Sequence, residues 1–194
     1  ILLPVYPNIA TALKANPDID VMVNFSSFRS AYATSREAIE HGQVRCVIII
    51  AEGVPERRAR ELRALSQKHN VTVIGPATVG GIKAGAFKIA NTGGTIENII
   101  ESKLHRPGSI GFVSKSGGMS NECYNIVARN SDGVNEGIAI GGDAWAGSTL
   151  TEHLLRYEAN PDIKLVVCLG EVGGEEEYKV AEAVKTKKIK KPLV

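Results

Sequence analysis

The stretch that decides the fold class is Ser109-Ile110-Gly111-Phe112-Val113-Ser114-Lys115-Ser116-Gly117-Gly118. Its first part, Ser109–Ser114, predicts a β-strand, and the residues from Gly117 to Ala128 have a helical pattern. A strand that leads directly into a helix is typical of the βαβ units that build parallel sheets. We therefore expect an α/β protein.

The same strand–helix order recurs on both sides of this stretch. The residues at 46–51 form a near-continuous apolar run, which is typical of a parallel strand buried on both faces. Further strands are predicted at 21–23, 71–74, 137–142 and 163–169, with another beginning at Leu193. Helices are predicted at 30–41, 55–69, 117–128, 148–157 and 175–188. The expected architecture is two successive parallel-sheet domains.

Length and composition agree with a two-domain chain of ordinary globular type. The chain has 194 residues, which fits one large or two small domains. A glycine-rich segment at 76–107 ends at Pro107-Gly108, where we predict the domain boundary, giving domains 1–107 and 108–194. The net charge of +2 and the aromatic content of 5% argue against nucleic-acid and membrane partners. Three cysteines far apart in sequence favour reduced thiols in the cytoplasm.

Candidate binding residues lie where the predicted strands end, because open α/β sheets bind ligands at that edge. The most informative strand end combines Ser114, Lys115 and Ser116 with Gly117-Gly118 at a helix start, which suits a phosphate or a carboxylate. The alternative is an ordinary serine cap followed by a tight turn. Carboxylates beside glycines at Asp143 and Glu175, and the acidic run at 175–177, are interpreted as helix caps and solvated helix starts. Neither the dinucleotide fingerprint nor the P-loop pattern occurs, which disfavours an NAD-binding protein.

Read together, the strand-end motifs resemble those of the NDP-forming acyl-CoA synthetase superfamily, of which the succinyl-CoA synthetase α-subunit is a member. The motifs, in chain order, are Ala51-Glu52-Gly53-Val54-Pro55-Glu56, Ile74-Gly75-Pro76-Ala77-Thr78-Val79-Gly80-Gly81-Ile82, Val113-Ser114-Lys115-Ser116-Gly117-Gly118-Met119-Ser120-Asn121-Glu122, Ile140-Gly141-Gly142-Asp143 and Leu169-Gly170-Glu171-Val172-Gly173-Gly174. The forms at 75–81 and 116–122 are similar to those of the ATP-citrate lyase family. The resemblance covers essentially the whole chain.

This resemblance implies a cytoplasmic enzyme that uses ATP and Mg²⁺ to join citrate to CoA. The citryl-CoA is then split into acetyl-CoA and oxaloacetate. A phosphohistidine and a citryl-phosphate precede the thioester. In this frame, residues 1–107 form a Rossmann-like CoA-binding domain that lacks its first part. Residues 108–194 form a flavodoxin-like, succinyl-CoA synthetase-like ligase domain that lacks its last part.

The resemblance also assigns roles to individual positions. Glu171 corresponds to the carboxylate that partners the catalytic histidine, and it is the position near which Mg²⁺ is expected. Glu52 is a second catalytic candidate. The residues matched to phosphate or citrate binding are Ser114, Lys115, Ser116, Gly117 and Gly118. The residues matched to CoA binding are Asn24, Phe25, Ser26, Ser27, Ala51, Glu52 and Gly53.

Two family segments are not found in the chain, and this limits what we expect of it alone. The Gly-His-Ala-Gly-Ala segment with the phosphorylated histidine is absent, as is the first glycine-rich CoA loop. We therefore expect a fragment without turnover, completed by an ATP-grasp half and a citrate-synthase-like domain in a homo- or hetero-oligomer. The alternatives are an acyl-CoA or citryl-CoA synthetase without cleavage activity and a non-catalytic CoA-binding regulatory module.

Overall fold

The computed structural model describes residues 2–194, which fold around two β-sheets. The first sheet is parallel and has the strand order β1-β2-β3. Its strands and the helices that accompany them are α1 (Ile9–Ala15), β1 (Val21–Asn24), α2 (Ala31–His41), β2 (Cys46–Ile49), α3 (Glu56–His69) and β3 (Thr72–Ile74). Val47, Ile48 and Ile49 of β2 are fully buried, as expected for a central strand covered on both faces.

The second sheet has five strands in the order β5-β4-β7-β6-β8. Its elements are β4 (Gly80–Lys83), β5 (Phe87–Lys88), α4 (Ile96–Glu101), β6 (Ile110–Ser114), α5 (Gly117–Asn130), β7 (Val134–Ala139), α6 (Leu150–Ala159), β8 (Leu165–Leu169) and α7 (Glu176–Lys185). Strand β6 lies between β7 and β8 and pairs in parallel with both of them. The α/β class predicted from the sequence is confirmed.

The structure corrects the expectation that both sheets are wholly parallel. Strand β4 runs antiparallel to β7 and to β5, so the glycine-rich segment contributes the edge of the second sheet. The change from one sheet to the other falls between Ile74 and Gly80, and the domain boundary at 107/108 stays a prediction. The sequence concealed β4 because its first two positions are Gly80 and Gly81, which carry no apolar side chain to show a strand period.

One strand also lies earlier than predicted. The residues at 137–142 were expected to form it, whereas β7 covers Val134–Ala139 and residues 140–142 are already loop. Gly141 adopts a positive φ of 101°, and a Cβ atom at this position would lie 2.0 Å from the carbonyl oxygen of Pro76. The strand must therefore end before Gly141, where the backbone turns against the neighbouring loop.

The carboxyl ends of the two sheets are held side by side. The Gly75 N–H donates to the carbonyl of Ile140 at 3.1 Å, and the Gly147 N–H donates to the carbonyl of Gly75 at 2.8 Å. One apolar cluster crosses this junction and includes Ile48 and Ile74 of the first sheet with Ile138 of the second. The loops that follow the strands of both sheets consequently face one another.

Candidate functional site

A cleft of about 790 Å³ lies where the strand-end loops of both sheets meet. Each of the loops that follow β2, β3, β6, β7 and β8 contributes residues to it. The lining residues are Ile50, Glu52, Gly53, Ala77, Thr78, Val79, Asn91, Lys115, Ser116, Gly117, Gly118, Gly142, Asp143, Gly170 and Glu171. All five strand-end motifs identified in the sequence therefore come together in one place, because parallel strands present their carboxyl ends at the same edge.

The start of α5 offers backbone donors to this cleft. The Ser116 hydroxyl caps the helix by accepting the N–H of Met119 at 3.3 Å. The N–H groups of Gly117 and Gly118, in the first turn, have no intrahelical acceptor. The two glycines differ in their surroundings: a Cβ at Gly117 would lie 2.6 Å from a methyl of Val79, whereas a Cβ at Gly118 would meet nothing within 4 Å. This arrangement fits a bound anion at a helix N-terminus.

Ser114 has a different position from the one that the sequence indicated. It is fully buried, and its hydroxyl accepts the Ser116 N–H at 2.9 Å and donates to the Ser116 carbonyl at the same distance. Both interactions close the turn between β6 and α5, and Ser114 does not line the cleft. The phosphate-binding set predicted at 114–118 is thus represented in the cleft by Lys115, Ser116 and the two glycines.

Lys115 places a positive charge in the cleft. Its side chain is only 7% exposed, and its Nζ lies 3.7 Å from Oε2 of Glu171. The same Nζ donates to the backbone carbonyl of Asp143 at 3.4 Å. A buried ammonium group with one distant carboxylate partner keeps much of its hydrogen-bonding capacity for a ligand.

Carboxylates surround the lysine, and one of them was not predicted. Asp143 lines the cleft after β7, and partial burial, together with the nearby charge of Glu52, raises its pKa, while Lys115 opposes the rise. From the sequence alone, Asp143 was interpreted as a helix cap. Its place directly after a strand, behind two glycines, was the signal that would have identified it. Thr78 and Asn91 also line the cleft: Thr78 belongs to a strand-end motif but was given no role, and Asn91 was not predicted.

The structure does not support a resident metal site at Glu171. Within residues 2–194 there is no group of three or more His, Cys, Asp or Glu side chains that could hold a metal ion. Glu171 instead lies beside the ammonium of Lys115, whose charge disfavours a second cation there.

The predicted CoA-binding residues are divided between the cleft and its surroundings. Glu52 and Gly53 line the cleft, whereas Ala51 contributes its backbone carbonyl, which accepts the Ala77 N–H at 2.9 Å. Asn24 is buried and structural, since its amide donates to the Ala31 carbonyl at 3.1 Å and to the Ser35 hydroxyl at 2.8 Å.

The residues that follow Asn24 do not line the main cleft either. They lie at the neighbouring end of β1, and the Phe25 side chain is largely exposed. The predicted residues at this strand end are Phe25, Ser26 and Ser27. Gly53 of the cleft is close to this loop, because a Cβ there would lie 4.0 Å from the ring of Phe28.

His153 and the three cysteines do not line the cleft. The ring of His153 is buried and is hydrogen-bonded to Ser148 at 2.9 Å and to Arg156 at 3.3 Å. Its burial lowers the pKa of His153 to about 3. Cys46, Cys123 and Cys168 are free thiols that are half-buried. None of the described helices has the length and apolar character needed to cross a membrane.

The chain is similar to known proteins in both sequence and structure. The family model described as CoA-ligase matches residues 113–194. The "Probable ATP-citrate synthase subunit 1" of Schizosaccharomyces pombe is 62% identical over the whole chain, and mouse "ATP-citrate synthase" is 54% identical. A solved ATP citrate lyase from Methanothrix soehngenii, in complex with citrate and coenzyme A, matches with 60% identity and a TM-score of 0.97.

Along its whole length, the chain is similar to one segment of the ATP-citrate synthases. This confirms the resemblance inferred from the five motifs. The segment is a minor part of each relative: the chain spans 32% of the fission yeast protein, 18% of the mouse protein and 31% of the archaeal chain.

Proposed function

We propose that this chain supplies the CoA-ligase part of an enzyme that makes acetyl-CoA and oxaloacetate from citrate, CoA and ATP. The observation that carries the proposal is one cleft lined by Lys115, the open start of α5, Glu52 and Glu171, with Lys115 beside Glu171. The sequence identity with ATP-citrate synthases, from 53% to 62%, supports the same reaction. The family order of steps is a phosphohistidine, a citryl-phosphate and a citryl-CoA.

The residues of the cleft suit the transfer of a phosphoryl group through an anionic intermediate. When a carboxylate of citrate carries the phosphoryl group, attack by the CoA thiolate forms the thioester and releases inorganic phosphate. The N–H groups of Gly117 and Gly118 and the ammonium of Lys115 stabilise the negative charge of that phosphate. Fixed donors of this kind need no reorganisation during the reaction, which is the main electrostatic advantage of a preformed site.

Glu171 and Glu52 have positions suited to hold or accept protons. Glu171 is half-exposed at the mouth of the cleft, where its carboxylate can orient an imidazole supplied from outside the described residues. Glu52 lines the same cleft beside Gly53, in the turn matched to CoA. A carboxylate at this position can accept the thiol proton of CoA.

The complete enzyme requires regions beyond those described. We propose that an ATP-grasp half and a citrate-synthase-like domain complete it in a cytoplasmic oligomer. The relatives are long enough for such regions, because the matched segment covers only 32% of the fission yeast protein and 18% of the mouse protein. On this basis the chain alone should show no citrate- and CoA-dependent ATP hydrolysis.

The test transplants this chain into mouse ATP-citrate synthase in place of the matching segment. We expect the chimera to form acetyl-CoA and oxaloacetate, and we expect Glu171→Gln and Lys115→Met to lower kcat by about 100-fold or more, as for other groups that act on the reacting atoms. Glu175→Gln is the matched control, because Glu175 is exposed on the same loop and does not line the cleft. A folded chimera that makes no acetyl-CoA, or variants that keep full kcat, would contradict the proposal.

A further inference from the structure

The backbone of the loop that carries Glu171 is hydrogen-bonded to a second carboxylate, that of Glu177. We propose that Glu177, in the first turn of α7, is a positioning residue that fixes the Glu171 loop in the cleft. The inference rests on the proposed function, because the group that Glu177 positions is the carboxylate assigned to that reaction. It differs from the prediction for residues 175–177, which were interpreted as the solvated start of a helix.

The contact that carries this inference is a hydrogen bond to the backbone of Glu171 itself. Oε1 of Glu177 accepts the Glu171 N–H at 2.7 Å. Oε2 of Glu177 is buried and has no hydrogen-bond partner among residues 2–194. The Glu177 carboxylate thus exchanges water for one backbone donor, the Glu171 N–H. This hydrogen bond holds the two groups together, because hydrogen bonds to charged groups are stronger than those between neutral groups.

Two glycines of the loop leave the space that the Glu177 side chain occupies. A Cβ at Gly170 would lie 2.1 Å from Oε1 and 2.7 Å from Cδ of Glu177, and a Cβ at Gly174 would lie 2.9 Å from Oε2. The three nearest atoms to that Gly170 Cβ all belong to Glu177. The Glu177 carboxylate therefore packs directly against the glycines at the two ends of the loop, where a larger side chain at either position would displace it.

Side-chain packing contributes little to the position of this loop. Val172 is fully exposed, and the Glu171 side chain is 49% exposed with an ion-pair distance of 3.7 Å to Lys115. The backbone of Glu171 is held instead by its N–H on Glu177 and by its carbonyl, which accepts the Gly174 N–H at 2.9 Å. The loss of the first of these bonds would leave the carboxylate free to move out of reach of its partners.

The support for Glu177 is itself rigid. Oε2 of the neighbouring Glu176 accepts the Leu150 N–H at 3.0 Å and thereby ties the start of α7 to the start of α6. Val180, one turn further along α7, is buried in the main apolar cluster. The position of Glu177 is consequently fixed by the core, and its hydrogen bond transmits that position to the Glu171 loop.

The first test compares Glu177→Ala with Glu177→Gln in the mouse chimera. The alanine variant loses the acceptor, and we expect kcat to fall about tenfold, the loss expected for one hydrogen bond to a charged group. The KM for CoA should stay unchanged, because Glu177 does not line the cleft. The glutamine variant keeps an acceptor oxygen and should recover most of kcat. Equal losses in the two variants would overturn the inference.

The second test uses the clash at Gly170. Gly170→Ala should lower kcat in the otherwise unchanged chimera, because the new methyl displaces the Glu177 carboxylate. In a Glu177→Ala background the obstructing atoms are gone, so Gly170→Ala should cause no further loss. Independent, multiplicative effects of the two substitutions would contradict the coupling. Thermal melting of each variant identifies one that fails to fold, in which case the glutamine comparison decides.

Glu171→Gln separates failure of this inference from failure of the proposed function. If Glu171→Gln abolishes turnover while Glu177→Ala and Gly170→Ala keep full kcat, the positioning role is wrong and the proposed function stands. If Glu171→Gln keeps full kcat, the role proposed for Glu171 is wrong, and the positioning role fails with it. A loss in all three variants, with recovery by Glu177→Gln, supports both.

Discussion

The buried histidine on α6 should make the fold sensitive to mild acid. His153 is 5% exposed and lies beside the guanidinium of Arg156, and burial followed by that positive charge lowers its pKa from 6.5 to about 3. The folded state therefore keeps the imidazole neutral, while the unfolded chain binds a proton below pH 6.5. Stability associated with this group is complete above pH 6.5 and is lost as the pH falls from 6.5 towards 3.

The size of the effect follows from these two pKa values. At pH 5 the unfolded state gains about 2 kcal/mol from protonation of this residue, since each pH unit below 6.5 contributes about 1.4 kcal/mol. Urea unfolding followed by circular dichroism at pH 7.5 and pH 5 measures it. His153→Gln is the reference, because it removes the titrating ring while the carboxylates of the protein stay the same.

The comparison of the two proteins isolates the histidine from other titrating groups. Any stability advantage of the wild type over His153→Gln at pH 7.5 should be smaller by about 2 kcal/mol at pH 5. A difference that stays constant between the two pH values would refute the argument, because it would mean that the ring is protonated as easily in the folded state as in the unfolded one.

Three further predictions concern the cleft. Lys115→Met should weaken the binding of inorganic phosphate at least tenfold, as measured by isothermal titration calorimetry. A tenfold loss corresponds to about 1.4 kcal/mol of charge-assisted interaction. Lys14→Met, at an exposed position, should leave phosphate binding unchanged. Gly117→Ala should lower the free energy of unfolding by about 1–3 kcal/mol, because the new methyl clashes with Val79. Gly118→Ala adds a methyl in open space within a helix, so it should raise the free energy of unfolding by about 0.5–1 kcal/mol. The same Gly118→Ala substitution should weaken phosphate binding. Asp143→Asn should raise the melting temperature at pH 7, because the raised pKa of Asp143 means that its ionised form destabilises the fold, and this gain should shrink as the pH falls through that pKa. A melting temperature that is unchanged or lower for Asp143→Asn at pH 7 would contradict this.

The sequence predicted those features that depend on local patterns. The apolar run of β2 and the strand-to-helix step at residues 109–118 identified the α/β class. A strand buried on both faces has a continuous apolar sequence, and the start of α5 has two adjacent glycines, so both features can be seen in the sequence itself. The motifs at the strand ends also indicated which loops would meet, because parallel strands present their carboxyl ends at one edge.

The features that were missed depend on contacts between distant residues. Strand β4 pairs with β7 so that Gly81 lies opposite Ile138, and a Cβ at Gly81 would lie 3.0 Å from the carbonyl oxygen of Gly137. No local period reveals this close antiparallel pairing. Ser114 and Asn24 were predicted to bind ligands, yet their polar groups are used within the fold: Ser114 closes the turn before α5, and Asn24 bonds to the first turns of α2. The role of Glu177 depends on the path of a loop six residues earlier, which composition alone does not show.

The central claim is that the start of α5 and Lys115 form an anion site in the cleft between the two sheets. Its most direct test is a titration of the ¹⁵N-labelled chain with inorganic phosphate, followed by amide chemical shifts. We predict that the amides of Gly117 and Gly118 shift most and that Lys115→Met abolishes the response. Shifts centred outside the cleft, or the same response from Lys115→Met, would contradict the account.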